Sequence, residues 1–447
     1  MRRPIAEGEY MSGTTLDDYT DRYAQRMRGM TVSEVRALFA MASRPEIVSL
    51  AGGSPFVSAL PLDEIAEMTA ALIRDRGAEA LQYGTGQGDL RLRELVCEVM
   101  AVEGVIGSAE DVVITVGSQQ GLDLLAHLFL DPGDVVLAEG PSYVGALGTF
   151  AAAEAEVVHV PMDHEGLIPS ELDAALRRLA SEGRRVKFLY TVPNFQNPTG
   201  VTLTEPRRDA IVELAERYDL LIIEDNPYGL LGFEEGPGQA LRARSSDRVI
   251  YLGSCSKMFG AGLRTGWVLA PPAVREKLVL VNESQVLSPA MLTQMIASEY
   301  LGKYPWREQL KVFREIYRER RDVMLDALTT HMPSGVTWTH PRGGFFVWAT
   351  VGDDLDTKAM QPRALTHKVA YVPGIGFYAD GSGRQNMRLC FSSAAPDRIR
   401  EGIRRLATVI DEETELRQVF NTPTARRRGP HGGPLSRTSF APGPELA

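Results

Sequence analysis

Residues 249–257 read Val-Ile-Tyr-Leu-Gly-Ser-Cys-Ser-Lys: a short apolar run, a turn of small residues, then a lysine. Val249–Gly253 has the length and β-branched character of a strand buried on both faces, which shows no polar alternation. A lysine just past the end of such a strand is seldom there for packing, because an ammonium is almost never buried without a partner. Ser254 and Ser256 flank it, and Gly262-Leu263-Arg264-Thr265-Gly266 follows a few residues later. Hydroxyls and a guanidinium are good donors to phosphate. A lysine beside cations has a lowered pKa, and so a nucleophilic amine. Lys257 is therefore the first candidate for chemistry.

Outward from this point, similar runs recur. Asp111–Val116, Val135–Glu139, Glu156–Val160, Val186–Thr191, Leu220–Glu224 and Thr265–Ala270 join Val249–Gly253 as strand candidates. Helical stretches such as Ser170–Leu179 and Glu205–Tyr218 separate several of them. The pattern predicts an α/β fold: a mostly parallel, seven-stranded open sheet with right-handed crossovers. From Pro289 to about Thr330 the periodicity is helical, with a break near Gly302-Lys303-Tyr304-Pro305. Strands return at Val336–Thr339, Gly344–Ala349 and Asn386–Ser392, which predicts a smaller α+β unit. The expected division is an N-terminal arm with one helix (1–50, the helix at Val32–Met41), a large domain (51–303), a small domain (304–417, with part of the N-terminal segment) and a disordered tail (418–447). The tail is read from its Pro, Gly, Ser and Arg content.

In open α/β sheets, ligands sit beyond the carboxyl ends of the strands. Here those ends carry polar residues one after another. After Asp111–Val116 comes Gly117-Ser118-Gln119-Gln120-Gly121, opening a helix. Such a turn offers backbone N–H groups and a dipole end to an anion, or is simply a tight turn with a capping serine. After Val135–Glu139 comes Tyr143, which could stack on a flat ring or merely pack. After Val186–Thr191 comes Pro193-Asn194-Phe195-Gln196-Asn197-Pro198-Thr199-Gly200, a loop whose amide could donate to a ligand oxygen. After Leu220–Ile223 come Glu224-Asp225-Asn226-Pro227-Tyr228. A carboxylate closing an apolar strand is costly to desolvate unless something cationic meets it. Capping of the next loop is the alternative.

The bulk composition excludes several functions. A net charge of −10 gives no reason to expect nucleic acid, and the one basic cluster, Arg426-Arg427-Arg428, falls in the tail. Cys97, Cys255 and Cys390 lie far apart, so a reducing compartment with free thiols is expected, and the seven histidines form no metal-binding pair. No apolar stretch reaches membrane-span length and no signal sequence stands at the N-terminus, so the expectation is a cytoplasmic protein without membrane partners. Gly84-Thr85-Gly86-Gln87-Gly88 has glycines at dinucleotide-like spacing, but no buried strand precedes it.

Asn197-Pro198-Thr199-Gly200, Asp225-x-x-Tyr228, and Ser254-x-Ser256-Lys257 with Arg264 following together resemble the class I/II pyridoxal-phosphate aminotransferases of fold type I, over roughly Asp21 to Val409. With Ser33-x-x-Arg36, Ala51-Gly52-Gly53, Gln82-Tyr83 and Gly117-Ser118-Gln119-Gln120 added, the pattern is similar to the 2-aminoadipate/kynurenine aminotransferase branch. The resemblance implies pyridoxal 5′-phosphate held as an imine on Lys257, which then moves the α-proton as base and acid. It implies that Asp225 keeps the pyridine nitrogen protonated, that Asn197 and Tyr228 bond the phenolate oxygen, and that Tyr143 stacks on the ring. Ser118, Gln119, Ser254, Ser256 and Arg264 would hold the phosphate, with Tyr83 reaching over from a second subunit, hence a homodimer with shared sites. Arg388 would clamp the substrate α-carboxylate, with Asn197 and Gly53 beside the substrate and Arg36 meeting an acidic side chain. The implied reaction moves an amino group from an L-amino acid to a 2-oxo acid, 2-oxoglutarate being the expected acceptor, by a ping-pong mechanism. β-Elimination or decarboxylation on the same cofactor, and a non-catalytic cofactor-binding regulator, remain the alternatives. The continuation Ser54-Pro55-Phe56-Val57-Ser58-Ala59 departs from the branch and bears on side-chain specificity.

Overall fold

The computed structural model describes residues 19, 22–29, 44–234 and 238–421. The expected helix Val32–Met41, with Arg36, lies outside the described residues, as does the tail beyond residue 421.

The chain enters through a two-residue strand, β1 (Val48–Ser49). The central sheet follows: β2 (Val112–Thr115), β3 (Val135–Gly140), β4 (Glu156–Asp163), β5 (Gly166–Leu167), β6 (Val186–Thr191), β7 (Leu221–Asp225), β8 (Val249–Ser254) and β9 (Gly266–Leu269). Their spatial order is β2-β9-β8-β7-β6-β3-β4-β5. The seven expected strands are all present. The eighth, β5, is a two-residue hairpin partner of β4, too short to leave a periodicity in the sequence.

Neighbours β4, β3, β6, β7 and β8 run parallel, whereas β9 runs antiparallel to both β8 and β2. β2 therefore points the same way as the parallel set. The carboxyl ends of β2, β3, β6, β7 and β8 lie along one edge, and so does the start of β9. That reversal brings Arg264, which precedes β9, to the same edge as Lys257, which follows β8.

Both faces of the sheet are covered, which explains the unbroken apolar runs. Successive residues alternate between two cores. Val136, Ala138, Phe188, Tyr190, Ile223 and Ile250 belong to one, while Val135, Leu137, Leu189, Ile222 and Val249 belong to the other.

The second sheet comprises β10 (Thr337–Trp338), β11 (Phe346–Thr350), β13 (Val372–Pro373) and β14 (Asn386–Cys390), in the antiparallel order β10-β11-β14-β13; β12 (Val369–Ala370) instead pairs in parallel with β1. Between the two sheets run helices Met291–Lys303 and Trp306–His331, broken as expected at Tyr304-Pro305. The last helix, Pro396–Asn421, continues past Gln418, where the sequence reading began the tail. No proline or glycine falls between Gln418 and Pro423, so local sequence gives the helix no reason to stop at 418. Among the described residues no helix is long and apolar enough to cross a membrane.

Candidate active site

A cavity of about 600 Å³ opens at the shared edge of the central sheet. Lys257, Asp225, Tyr228, Tyr143, Asn197, Ser118, Gln119, Ser254, Ser256, Arg264, Arg388 and Gly53 all line it. Residues drawn from five strand ends and from the second sheet thus converge on one space.

One end of the cavity is built for an anion. Gly117, with φ +76°, begins the helix Ser118–Phe129 without any side-chain cap. Ser118 is thus the first helical residue and not the capping serine that the sequence allowed. The strand end and helix start come unusually close to β9: a Cβ on Gly266 would stand 2.6 Å from the Ser118 nitrogen. Arg264, at φ +51°, donates from Nη2 to the Val116 carbonyl at 3.3 Å and so lies against the same turn. Ser254 Oγ accepts from the Ser256 N–H at 3.0 Å, which folds the β8 exit into a π-turn over Ser256–Gly260. Open helical N–H groups, hydroxyls and a guanidinium together favour a doubly charged oxyanion.

Lys257 stands in the middle. Its Nζ donates to the Gly53 carbonyl at 2.7 Å and lies 5.4 Å from the Phe345 ring centre and 5.8 Å from that of Tyr228. Burial pushes the amine down to about 8, with Arg388 and Arg264 adding in the same direction. An ammonium between aromatic rings and cations releases its proton far more readily than one in water.

The two carboxylates at the end of β7 part company. In the parallel pairing with β6, Tyr190 is opposite Ile223 and Thr191 opposite Glu224, so Glu224 and Asp225 leave opposite faces of the sheet. Glu224 accepts from the Leu241 and Arg242 N–H groups at 3.0 and 2.8 Å and caps the helix Leu241–Arg244. Asp225 faces the cavity. Its Oδ2 accepts from the Tyr190 hydroxyl at 2.8 Å, while Oδ1 is buried without a hydrogen-bond partner among the described residues. Burial raises this carboxyl to about 6; the tyrosine hydrogen bond and the charge of Lys257 oppose the rise. Of the acidic pair, Glu224 takes the capping place and Asp225 the place at the cavity.

Arg388, in the middle of β14, is buried at the far wall. It donates to Asn197 Oδ1 at 3.0 Å and to the Ala51 and Gly52 carbonyls at 2.8 and 3.2 Å, and its carbon lies 4.3 Å from the Phe346 ring centre. Its Nε has no partner among the described residues. Gln119 Nε2 bonds the Gly145 carbonyl and Thr149 Oγ1, at 3.2 and 2.8 Å, and so ties the helix start to the segment after Tyr143. Tyr83 departs from this group: it is outside the cavity and 76% exposed.

Two buried glutamates that the sequence reading passed over hold the loops in register. Glu139 accepts from Thr191 Oγ1, the Val192 N–H and Gln196 Nε2, at 2.6, 3.1 and 3.2 Å. Glu103 accepts from Asn226 Nδ2 at 2.7 Å and Tyr251 at 3.1 Å, with Asn194 Nδ2 at 3.4 Å. Burial raises each to about 7. Glu139 closes an apolar strand just as Glu224-Asp225 does, a signal that was available; Glu103 sits beyond a helix and gave none. Tyr190 was read only as a strand residue.

The profile of the family described as aminotransferase class I and II matches residues 46–406. An aromatic-amino-acid aminotransferase of Thermococcus litoralis is 42% identical over 408 residues, covering 91% of this chain and 97% of that protein. A 2-aminoadipate transaminase of Thermus thermophilus is 37% identical over 396 residues, covering 88% and 97%. The crystal structure of Pyrococcus horikoshii kynurenine aminotransferase, in complex with PMP, superposes with a TM-score of 0.85 at 40% identity, covering 90% of this chain and 99% of that one. The chain belongs to the class I and II aminotransferases. It is a pyridoxal-phosphate-dependent enzyme of fold type I that transfers amino groups.

The cavity fits that cofactor. A buried carboxylate oxygen lacks a donor, which a protonated ring nitrogen supplies; a buried amine of low basicity stands across from it; an anion-binding helix start closes one end.

The depressed basicity of Lys257 can be measured directly. In cofactor-depleted protein, acylation of Lys257 by an amine-directed reagent should be half-maximal near pH 8, against about 10.4 for solvated lysines. Site-resolved mass spectrometry across a pH series reads this; a Lys257 profile that tracks the surface lysines would contradict the environment described.

Proposed function

We propose that this enzyme takes nitrogen from an L-amino acid and delivers it to 2-oxoglutarate in two successive half-reactions at the Lys257 site, with substrates of the 2-aminoadipate/kynurenine kind. One observation carries this function: the unpartnered Oδ1 of Asp225 shares a cavity with the low-basicity amine of Lys257 and the spare Nε of Arg388. Pyridoxal phosphate supplies an electron sink for the bonds of the amino acid's α-carbon.

The chain's own residues do the rest. Ser118, Gln119, Ser254, Ser256 and Arg264 hold the phosphate at the helix start. Asp225 Oδ1 would accept the ring N–H and keep that nitrogen protonated. Tyr143 would pack on the ring face, and Asn197 and Tyr228 would donate to the ring oxygen. Lys257 would hold the cofactor covalently, and its weakly basic amine would take the α-proton as base and return it as acid. Arg388 pairs with the α-carboxylate, while Asn197 and the Gly53 carbonyl fix its surroundings. The 53–59 loop, anchored by the Phe56 N–H to Tyr317 and by Arg320 stacked 4.0 Å from the Phe56 ring centre, meets the substrate side chain. Arg36, outside the described residues, is assigned by the family resemblance to pair with acidic substrate side chains.

The domains divide at 51–303 and 304–417, the break between helices Met291–Lys303 and Trp306–His331 being the boundary. Two copies form the working unit. Tyr83 is exposed beside Leu81 at 72%, and Leu287 is exposed at 57% near Ser288, whose Oγ accepts from the Gly84 N–H. A partner covering this apolar surface would receive Tyr83 at its own phosphate.

Incubated with a donor amino acid and no acceptor, the enzyme should yield one equivalent of 2-oxo acid and amine-form cofactor. Added 2-oxoglutarate should then give glutamate and restore the starting spectrum. Glutamate, 2-aminoadipate, kynurenine and aromatic amino acids are the donors to try first. Release of ammonia or carbon dioxide instead would assign the site to elimination or decarboxylation.

The shared site has its own test. Lys257→Ala and Tyr83→Ala should each be weak or inactive alone. When they are co-expressed with random pairing, half the dimers are mixed and each has one undamaged site, so about a quarter of wild-type activity returns. Recovery no greater than the mean of the two parent variants would assign Tyr83 to its own subunit.

A further inference from the structure

We infer that Tyr190 is a positioning residue for the transfer reaction: its hydroxyl holds Asp225 Oδ2, so that Oδ1 alone is turned to the cofactor's ring nitrogen. This rests on the proposed role of Asp225 and goes one residue beyond it.

The geometry comes from the sheet. Tyr190 on β6 is opposite Ile223 on β7, and Asp225, two residues on, projects from the same face. The tyrosine is wholly buried, with its ring 5.6 Å from that of Phe150 in an edge-on contact, so the hydroxyl has a fixed aim. It meets Asp225 Oδ2 at 2.8 Å. Phenylalanine would fill the same space. A buried hydroxyl costs free energy unless it is partnered, so its presence here calls for a polar reason.

Two consequences follow for Asp225. A carboxylate turns broadly about its last torsion, and a donor on one oxygen selects which lone pairs face the cavity. A hydrogen bond to the ionised form also favours ionisation, against the burial that works the other way. Burial and the Asp225 charge hold the phenol's own pKa well above its ordinary value, so Tyr190 stays a donor throughout the working range. Without it, the proton shared between Asp225 and the ring nitrogen moves toward Asp225.

The test uses Tyr190→Phe holoenzyme loaded with pyridoxal phosphate labelled with ¹⁵N in the ring. The nitrogen resonance should move toward that of unprotonated pyridine. In the donor half-reaction kcat should fall about tenfold or more, the loss expected for a hydrogen bond to a charged group, while KM changes little. Installing 4-aminophenylalanine at position 190, which restores an N–H donor in the same place, should return the resonance. Tyr371→Phe, which removes a buried hydroxyl carried between β12 and β13 and bonded to the Thr357 carbonyl, should leave resonance and kcat unchanged. A wild-type resonance and kcat in Tyr190→Phe would overturn the inference, as would failure of the aminophenylalanine to restore the resonance. Asp225→Ala separates the two levels. If it too leaves the resonance in place, the role of Asp225 itself fails; if it moves the resonance and Tyr190→Phe does not, only the role of Tyr190 fails.

Discussion

A carboxylate buried at the end of an apolar strand must find a donor or surrender its charge, and much of this molecule is arranged around that constraint at Asp225. β7 delivers the side chain to the cavity because both flanking strands run parallel to it, which leaves its carboxyl end open at the sheet edge. One oxygen is held by Tyr190, and the other has no hydrogen-bond partner among the described residues. Lys257, from the neighbouring β8, faces the same space with its charge weakened by the same burial. An anion with a vacant acceptor and an amine with a loose proton, on adjacent strands, are a pairing that a cationic ring bearing an aldehyde can satisfy at both ends.

The rest of the site protects this arrangement. The antiparallel turn of β9 brings Arg264 against the helix start at Ser118, and glycine at 117 and 266 lets the two backbones approach closely enough to cradle an oxyanion. Glu139 and Glu103 each collect several donors from the loops that carry Asn197 and Asn226. Such saturated buried networks rigidify loops that would otherwise have only backbone contacts to fix them. Arg388 is carried by the second sheet yet bonded to Asn197 and to the 51–52 carbonyls, so its position depends on how both sheets meet.

Much of this was legible in the sequence, and the parts that were not have physical reasons. The central strands announced themselves because a sheet covered on both faces needs uninterrupted apolar runs, and of the acidic residues that close those runs Asp225 faces the cavity while Glu139 and Glu224 are bonded away from it. The hairpin strand β5 was too short to carry a period. The final helix ran on past Gln418 because tail-like composition begins only at Pro423. The capping reading for the acidic pair belonged to Glu224 and the cavity reading to Asp225, a distinction that strand register decides and local sequence cannot. Tyr190 stayed hidden because a tyrosine in a buried strand reads as packing until its hydroxyl is seen to have a carboxylate beside it. Arg388 and Tyr83 entered through family resemblance alone; the structure brings the first to the cavity and leaves the second at the surface.

The proposed mechanism requires Lys257 to be the amine that meets the cofactor, facing Asp225 across one cavity. Borohydride reduction of the cofactor-loaded enzyme, followed by peptide mapping, tests it most directly. The phosphopyridoxyl label is expected on Lys257 in wild type, and on Lys257 again in an Asp225→Ala variant that still binds cofactor. Label on any other lysine, or a cofactor that reduction leaves unattached, would contradict it.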